Sequence, residues 1–183
     1  MDKNANLVFI DFETFNVNLN FFSNRPWQVA MLKVKKGQTV DSFDEMIKWD
    51  CDLSISEEAK KITNFSQKKF DKTAKHESEV FDDVYNWLDS CDYIVGHNIL
   101  GFDMYLMRGW CKIHNKPYNH FFEKSIDTLS IARGLKSGHY FKEQESAFFQ
   151  YQYKMLNFRK KGMRTSLGAV SYTHLRAHET LMN

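Results

Sequence analysis

An α/β domain built on a mixed sheet is the fold this chain predicts, and two features carry the prediction. Three strand-like runs come first: "LVFI" from Leu7, "WQVAMLKV" from Trp27 and "TVDSFDEMIKW" from Thr39. Helical patterns then alternate with one short buried run, an order that sets helices against a sheet. The 183 residues suit one domain, with chain enough to bury about 70% of the surface its unfolded form exposes. A hydrophobic content of 43% and a charged content of 26% are ordinary for a soluble globular protein. No apolar run approaches the roughly 20 residues that cross a bilayer. No cleavage site follows "MDKNANLVFI", so no export signal is expected. Cys51, Cys91 and Cys111 are odd in number and lack paired short spacing, which predicts reduced thiols and a cytoplasmic protein.

The first strand ends at "DFET", and the second and third join at "KKGQ", where Gly37 supplies the positive φ of a tight hairpin. These three strands are expected to be consecutive and antiparallel. Ser54 stands three residues before Glu57, the spacing of a capping box, which predicts a short helix over "SISEEAKKITN". Between Glu77 and Leu88, Val80, Phe81, Val84, Trp87 and Leu88 fall at helical spacing and mark the clearest amphipathic helix. "YIVGHN" from Tyr93 reads as a short buried strand. The following "GFDMYLMRGWCKIH" reads as a helix with Phe102, Tyr105, Leu106 and Trp110 on one side. Asp127 is placed to cap a helix running to about Arg133, with no obvious strand before it. From Tyr140 to Arg164 aromatic and basic residues interleave, and the apolar positions fit a helix or a strand equally.

A net charge of +2 is too mild to identify a nucleic-acid binder. The clusters at Lys33–Lys36 and at "RKKGMR", Arg159 to Arg164, read either as solvated faces or as phosphate contacts. The aromatic segment beside the second cluster is read as base-stacking or as ordinary packing.

Asp11 and Glu13 carry the sharper signal. Two apart on a strand, they project to one face, where they repel one another. An exposed strand end facing water would account for the pair alone. "GHNILGFD" then repeats the theme, because a buried strand ends in Gly96, His97 and Asn98 and Asp103 follows in the first turn of the next helix. If the first and fourth strands are neighbours, three carboxylates meet at one sheet edge. Such a set is costly without a divalent cation, and paired cations held this way perform phosphoryl-transfer chemistry.

"DFET" resembles the first motif, Asp-x-Glu-Thr, of the DEDD superfamily of 3′-to-5′ exonucleases. "GHNILGFD" is similar to the second motif, and "IDTLSIAR" to a helix start common between the second and third. The resemblance covers roughly residues 7 to 168. It implies a ribonuclease-H-like mixed sheet of three antiparallel strands plus a parallel one, flanked by helices. It implies stepwise hydrolysis at single-stranded 3′ ends of DNA or RNA, with two Mg²⁺ or Mn²⁺ ions as cofactors and a DNA polymerase, in proofreading, as a further partner. Carried over, Asp11, Glu13 and Asp103 are the catalytic and metal-binding residues. Phe12 and Thr14 would lie against the terminal nucleotide, and Asn98 and Phe102 near the scissile bond. His97 does not match the family's catalytic histidine and reads as a satisfied residue at a strand end.

The family also needs a fourth carboxylate on a late helix, whereas no aspartate follows Asp127. "VSYTHLRAHETLMN" breaks the apolar pattern and resembles translated adaptor read-through. The expectation is an incomplete exonuclease domain over 1–168 and a non-native tail over 169–183, the spacing of His174 and Glu179 being coincidental. The rival reading is a catalytically impaired nucleic-acid-binding module on the same fold.

Overall fold

The computed structural model describes residues 4–166, apart from 17, 52, 53, 56, 58, 59, 61, 62 and 64. The helix expected from the Ser54 capping box falls largely outside that description, although Glu57, Lys60 and Thr63 are helical. The expected non-native tail lies outside it as well.

Three strands, β1 (Asn6–Thr14), β2 (Pro26–Lys35) and β3 (Gln38–Lys48), form the expected antiparallel meander. Lys36 and Gly37, both at positive φ, make the tight turn between β2 and β3. A helix α1 (Gln67–Thr73) leads to a two-residue strand β4 (Lys75–His76) and to α2 (Glu77–Ser90), the amphipathic helix that the periodicity marks. Then come β5 (Tyr93–Gly96), a single 3₁₀ turn (Ile99–Gly101) and α3 (Asp103–Ile113). The order closes with α4 (Asn119–Glu123), β6 (Ser125–Asp127), α5 (Thr128–Ser137) and α6 (Phe148–Asn157). Among the described residues the strands form one sheet in the order β4-β3-β2-β1-β5-β6, with β5 parallel to β1. The first and fourth expected strands are therefore neighbours. No helix of the described residues is long and apolar enough to cross a membrane.

Alternation along β1 divides the sheet into two unlike faces. Val8, Ile10 and Phe12 are buried with Val29 and Met31 of β2, while Phe9 and Asp11 point the other way and are exposed. The buried face meets the apolar stripe of α2, made by Val80, Phe81, Val84 and Leu88, and the buried side of α3. Trp110 anchors that layer, with ring centroids 5.4 Å from Phe81 and from Trp49 and 6.3 Å from Phe12. Its indole N–H donates to Glu77 Oε2 at 2.6 Å, so the buried ring leaves no polar atom unpaired. Trp110 lies two helical turns after Asp103, so anchoring the tryptophan fixes where the carboxylate enters the site.

One short element departs from the expected order. β6, three residues long, pairs in parallel with β5 although no strand is legible there. It is the last strand of the sheet and its outer side has no strand partner among the described residues. Gln152 of α6 takes that place: its amide oxygen accepts from Asp127 N at 2.6 Å and its amide nitrogen donates to Ser125 O at 2.9 Å. This pairing also resolves the aromatic segment, whose central residues are helical because Gln152 must face β6 while Met155 and Leu156 pack inward.

Replacing Gln152 by leucine keeps the volume but leaves two buried backbone groups unpaired. The expected loss is about 2 kcal/mol, read as a lower urea midpoint at unchanged slope. An unchanged midpoint would mean that the β6 edge is satisfied without this side chain.

Candidate active site

β1 and β5 are paired only from Leu7 to Phe9 against Tyr93 to Val95. Past that point β1 has no strand on its β5 side, and its last residues must find other partners. Asp103, at the first position of α3, supplies one: its Oδ1 accepts from Phe12 N at 3.0 Å. The carboxylate thus bonds the backbone between Asp11 and Glu13. Asp11 and Glu13 project from the opposite face of the strand to Phe12, and the three acids converge on the end of β1 from two directions.

The electrostatics follow from that convergence. Asp103 is 3% exposed, and burial, followed by the charge of Asp11, pushes its carboxyl well above the usual range. Burial lifts Glu13, and Asp11 adds to the lift. Asp11 lies on the exposed face of β1, yet the protein around its carboxyl displaces water and raises it too, while the nearby His97 opposes the rise. Each group therefore holds its proton more tightly than an ordinary carboxyl does.

The second motif shapes the wall beside these acids. A Cβ on Gly96 would stand 3.0 Å from the Ile10 carbonyl oxygen, so any larger residue would push β5 and β1 apart by a few tenths of an ångström here. Asn98 sits at φ 65°, a left-handed conformation that asparagine tolerates, and its side-chain oxygen lies 2.5 Å from where a Cβ of Gly101 would be. Asp127, fully buried, holds the turn: Oδ1 accepts from Asn98 N, Leu129 N and Ser130 N at 2.9–3.2 Å, and Oδ2 from Leu100 N at 3.1 Å. It is the expected N-cap and also the clasp of the second motif. His97 Nδ1 lies 3.1 Å from Thr128 Oγ1, whose hydroxyl also donates to Gly96 O, so the ring is held in place as read.

Of the expected substrate-contacting residues, Phe102 is half-buried against the core and leads into α3. Phe12 is buried, its backbone N–H given to Asp103. Thr14 is buried and its hydroxyl donates to Asn16 O, which clasps the end of β1 to the following loop. Sequence reasoning missed a hollow of about 550 Å³ on the open face, lined by Phe9, Leu32, Phe43 and Val95 together with Asp11, His97 and Thr128. Alternation along β1 was the signal available for it, since Phe9 and Asp11 share a face.

A family model described as exonuclease matches residues 8–157. The chain belongs to the exonuclease family. Members of that family are nucleases, and the matched span runs from within β1 to the end of α6. A comparison with curated proteins found no match. Solved structures of exonuclease I, several of them from Escherichia coli, share the fold. The complex with a dT13 oligonucleotide superposes with a TM-score of 0.64 at 17% identity over 72% of this chain and 30% of that one. The complex with the inhibitor BCBP gives 0.67 at 15% identity over 92% and 40%. The zinc ion bound form of an exonuclease I–single-stranded DNA complex gives 0.64 at 17% over 86% and 36%. This exonuclease-family chain thus spans 30–40% of the exonuclease I chains it matches.

Among the described residues no group of three or more His, Cys, Asp or Glu side chains stands close enough to hold a metal ion. The chemistry of the donor set still suits one. Asp11, Glu13 and Asp103 offer hard carboxylate oxygens, and a divalent cation would relieve the repulsion that Asp11 exerts on the other two.

The raised pKa of Asp103 makes a stability prediction with a definite sign. The native state holds this proton more tightly than the unfolded chain, so the stabilisation is complete below the usual carboxylate range and is lost as pH rises through the folded value. In EDTA, Asp103→Asn should melt a few degrees above the parent at about pH 7 and converge with it at about pH 4. A difference independent of pH would show that Asp103 ionises in the native state without cost.

Proposed function

We propose that this domain is a divalent-metal-dependent 3′-to-5′ exonuclease that hydrolyses the terminal phosphodiester of single-stranded DNA or RNA and releases nucleoside 5′-monophosphates. The observation that carries the reading is the convergence of Asp11, Glu13 and Asp103 on the end of β1, in a chain of the exonuclease family. Mg²⁺ or Mn²⁺, when bound, would lower the pKa of an attacking water and stabilise the departing 3′ oxygen. Asp11 and Glu13 would hold the ions from the strand, and Asp103 from the helix. The hollow that Asp11 helps to line supports the reading, since its apolar walls suit the faces of a nucleoside whose phosphate would meet an ion held at Asp11. Thr14 and Phe12, both buried, would shape that end of the strand, with Asn98 and Phe102 flanking the scissile bond. His97, held by Thr128 and close to Asp11, would orient rather than exchange protons.

The oligonucleotide-bound exonuclease I structures support a single-stranded substrate. Partnership with a DNA polymerase and a proofreading role rest on the family resemblance. Asp127 does not serve as a fourth ligand, because both its oxygens are taken by backbone N–H groups. A second reading, nucleic-acid binding without hydrolysis, is favoured by the want of a closed three-ligand group among the described residues.

The test is stepwise shortening of 5′-labelled single-stranded DNA and its RNA counterpart in Mg²⁺ or Mn²⁺. The parent chain should produce a ladder. Asp11→Ala should slow it by more than the roughly 10- to 100-fold that loss of an outer-shell partner of a metal costs. Shortening that survives the substitution would refute these residue roles, and binding without shortening in either metal would favour the second reading.

A further inference from the structure

The charge of the chain is unevenly placed. Residues 133–164 hold eight Lys or Arg and two Glu, a net of +6, within a chain of net +2, so the remainder carries −4. Part of this excess has a structural use. Arg133 and Arg159 both donate to the Leu156 carbonyl oxygen at the end of α6, and Lys136 Nζ donates to Arg164 O at 2.5 Å. A helix C-terminus carries only about half a negative charge, less than the two guanidiniums it receives here. Arg133 accordingly holds its proton less tightly than usual, through burial and through repulsion by Arg159.

Beyond these, Lys160, Lys161 and Arg164 are exposed on a single turn, closed by Met163 N donating to Lys160 O at 3.1 Å. Among the described residues none of them forms an ion pair with a carboxylate. With Lys136 they line a shallow hollow of about 480 Å³ whose remaining walls are Gly162 and Met163. Four cations and no acid around one hollow leave a concentration of charge that only an anion neutralises. α5 connects it to the site: Thr128 lies beside His97, and Lys136 is eight residues further along the helix, about 12 Å away. A strand stacked at about 3.4 Å per nucleotide covers that span with about four phosphates.

We infer that the hollow formed by Lys136, Lys160, Lys161 and Arg164 grips the phosphate backbone of the single strand about four nucleotides upstream of the end presented to Asp11, Glu13 and Asp103. The inference rests on the hydrolytic reading for the position of that end. It makes the hollow an affinity site that senses strand length and not sequence.

Binding measured in EDTA separates the two readings, because no hydrolysis is needed. The probes are a labelled single-stranded DNA of about 12 nucleotides and a labelled dinucleotide, with the parent chain and the double variant Lys160→Gln/Lys161→Gln. The variant should bind the longer strand about tenfold more weakly, and its slope of log affinity against log salt should be shallower by about 1.4, at roughly 0.7 for each phosphate no longer neutralised. Dinucleotide binding should not change. Equal affinity and slope on the longer strand would overturn the inference, and so would an equal loss on the dinucleotide. Absence of Asp11-dependent shortening alongside the expected binding change would strike the hydrolytic reading and leave the phosphate grip standing.

Discussion

The carboxylate of Asp127 is the point on which the site depends. Four backbone N–H groups from two separate stretches converge on its two oxygens. Two of them start α5, and the other two fix the turn from β5 into the 3₁₀ segment. That turn determines where α3 begins, and hence where Asp103 meets β1. Hydrogen bonds to a charged acceptor contribute about 1.5–3 kcal/mol each, so one buried side chain outweighs any exposed ion pair in the molecule. Its own position is set in turn by β6 pairing with β5 and by the amide of Gln152.

Against this well-satisfied acid stand three that are not. Burial raises Asp11, Glu13 and Asp103 alike, the charge of Asp11 raises the other two further, and the Asp103 carboxylate accepts from the Phe12 backbone N–H at the strand end. The fold tolerates them because the aromatic layer around Trp110 holds α3 against the sheet independently of the charges. Burial of large aromatic rings supplies the stability that the strand end gives up. Functional sites commonly concentrate such perturbed groups, since a set of acids that repel is a set prepared for a cation.

Much of the fold was legible because its long elements are periodic. β1, β2, β3 and α2 declare themselves by alternation or by helical spacing, and the Asp11/Glu13 pair follows from the same alternation. Asp103 was legible through the repeat of a strand ending near a carboxylate. β6 was not, since three residues carry no period, and its outer side is satisfied by Gln152, 25 residues beyond Asp127. α6 was ambiguous for a related reason: Phe148, Phe149, Tyr151, Tyr153 and Met155 satisfy both periods, and only the contact of Gln152 with β6 chooses between them. Asp127 was legible as a cap, while its grip on Asn98 and Leu100 spans about thirty residues of sequence and leaves no local trace. The buried placement of Thr14, whose hydroxyl turns to Asn16, likewise depends on a loop that no motif describes.

The amide of Gln152 has a consequence for self-association. A sheet's outermost strands are templates on which another chain can add, and proteins blunt them with short strands, charge or a covering helix. Here the outer strand at one end, β4, is two residues long and carries Lys75, paired with Glu45 of β3 at 2.5 Å. At the other end β6 is three residues long, and a side chain from α6 occupies the ladder positions that an incoming strand would need. The same glutamine that completes the fold therefore closes the β6 border, along which the sheet would otherwise be open to extension into an aggregate.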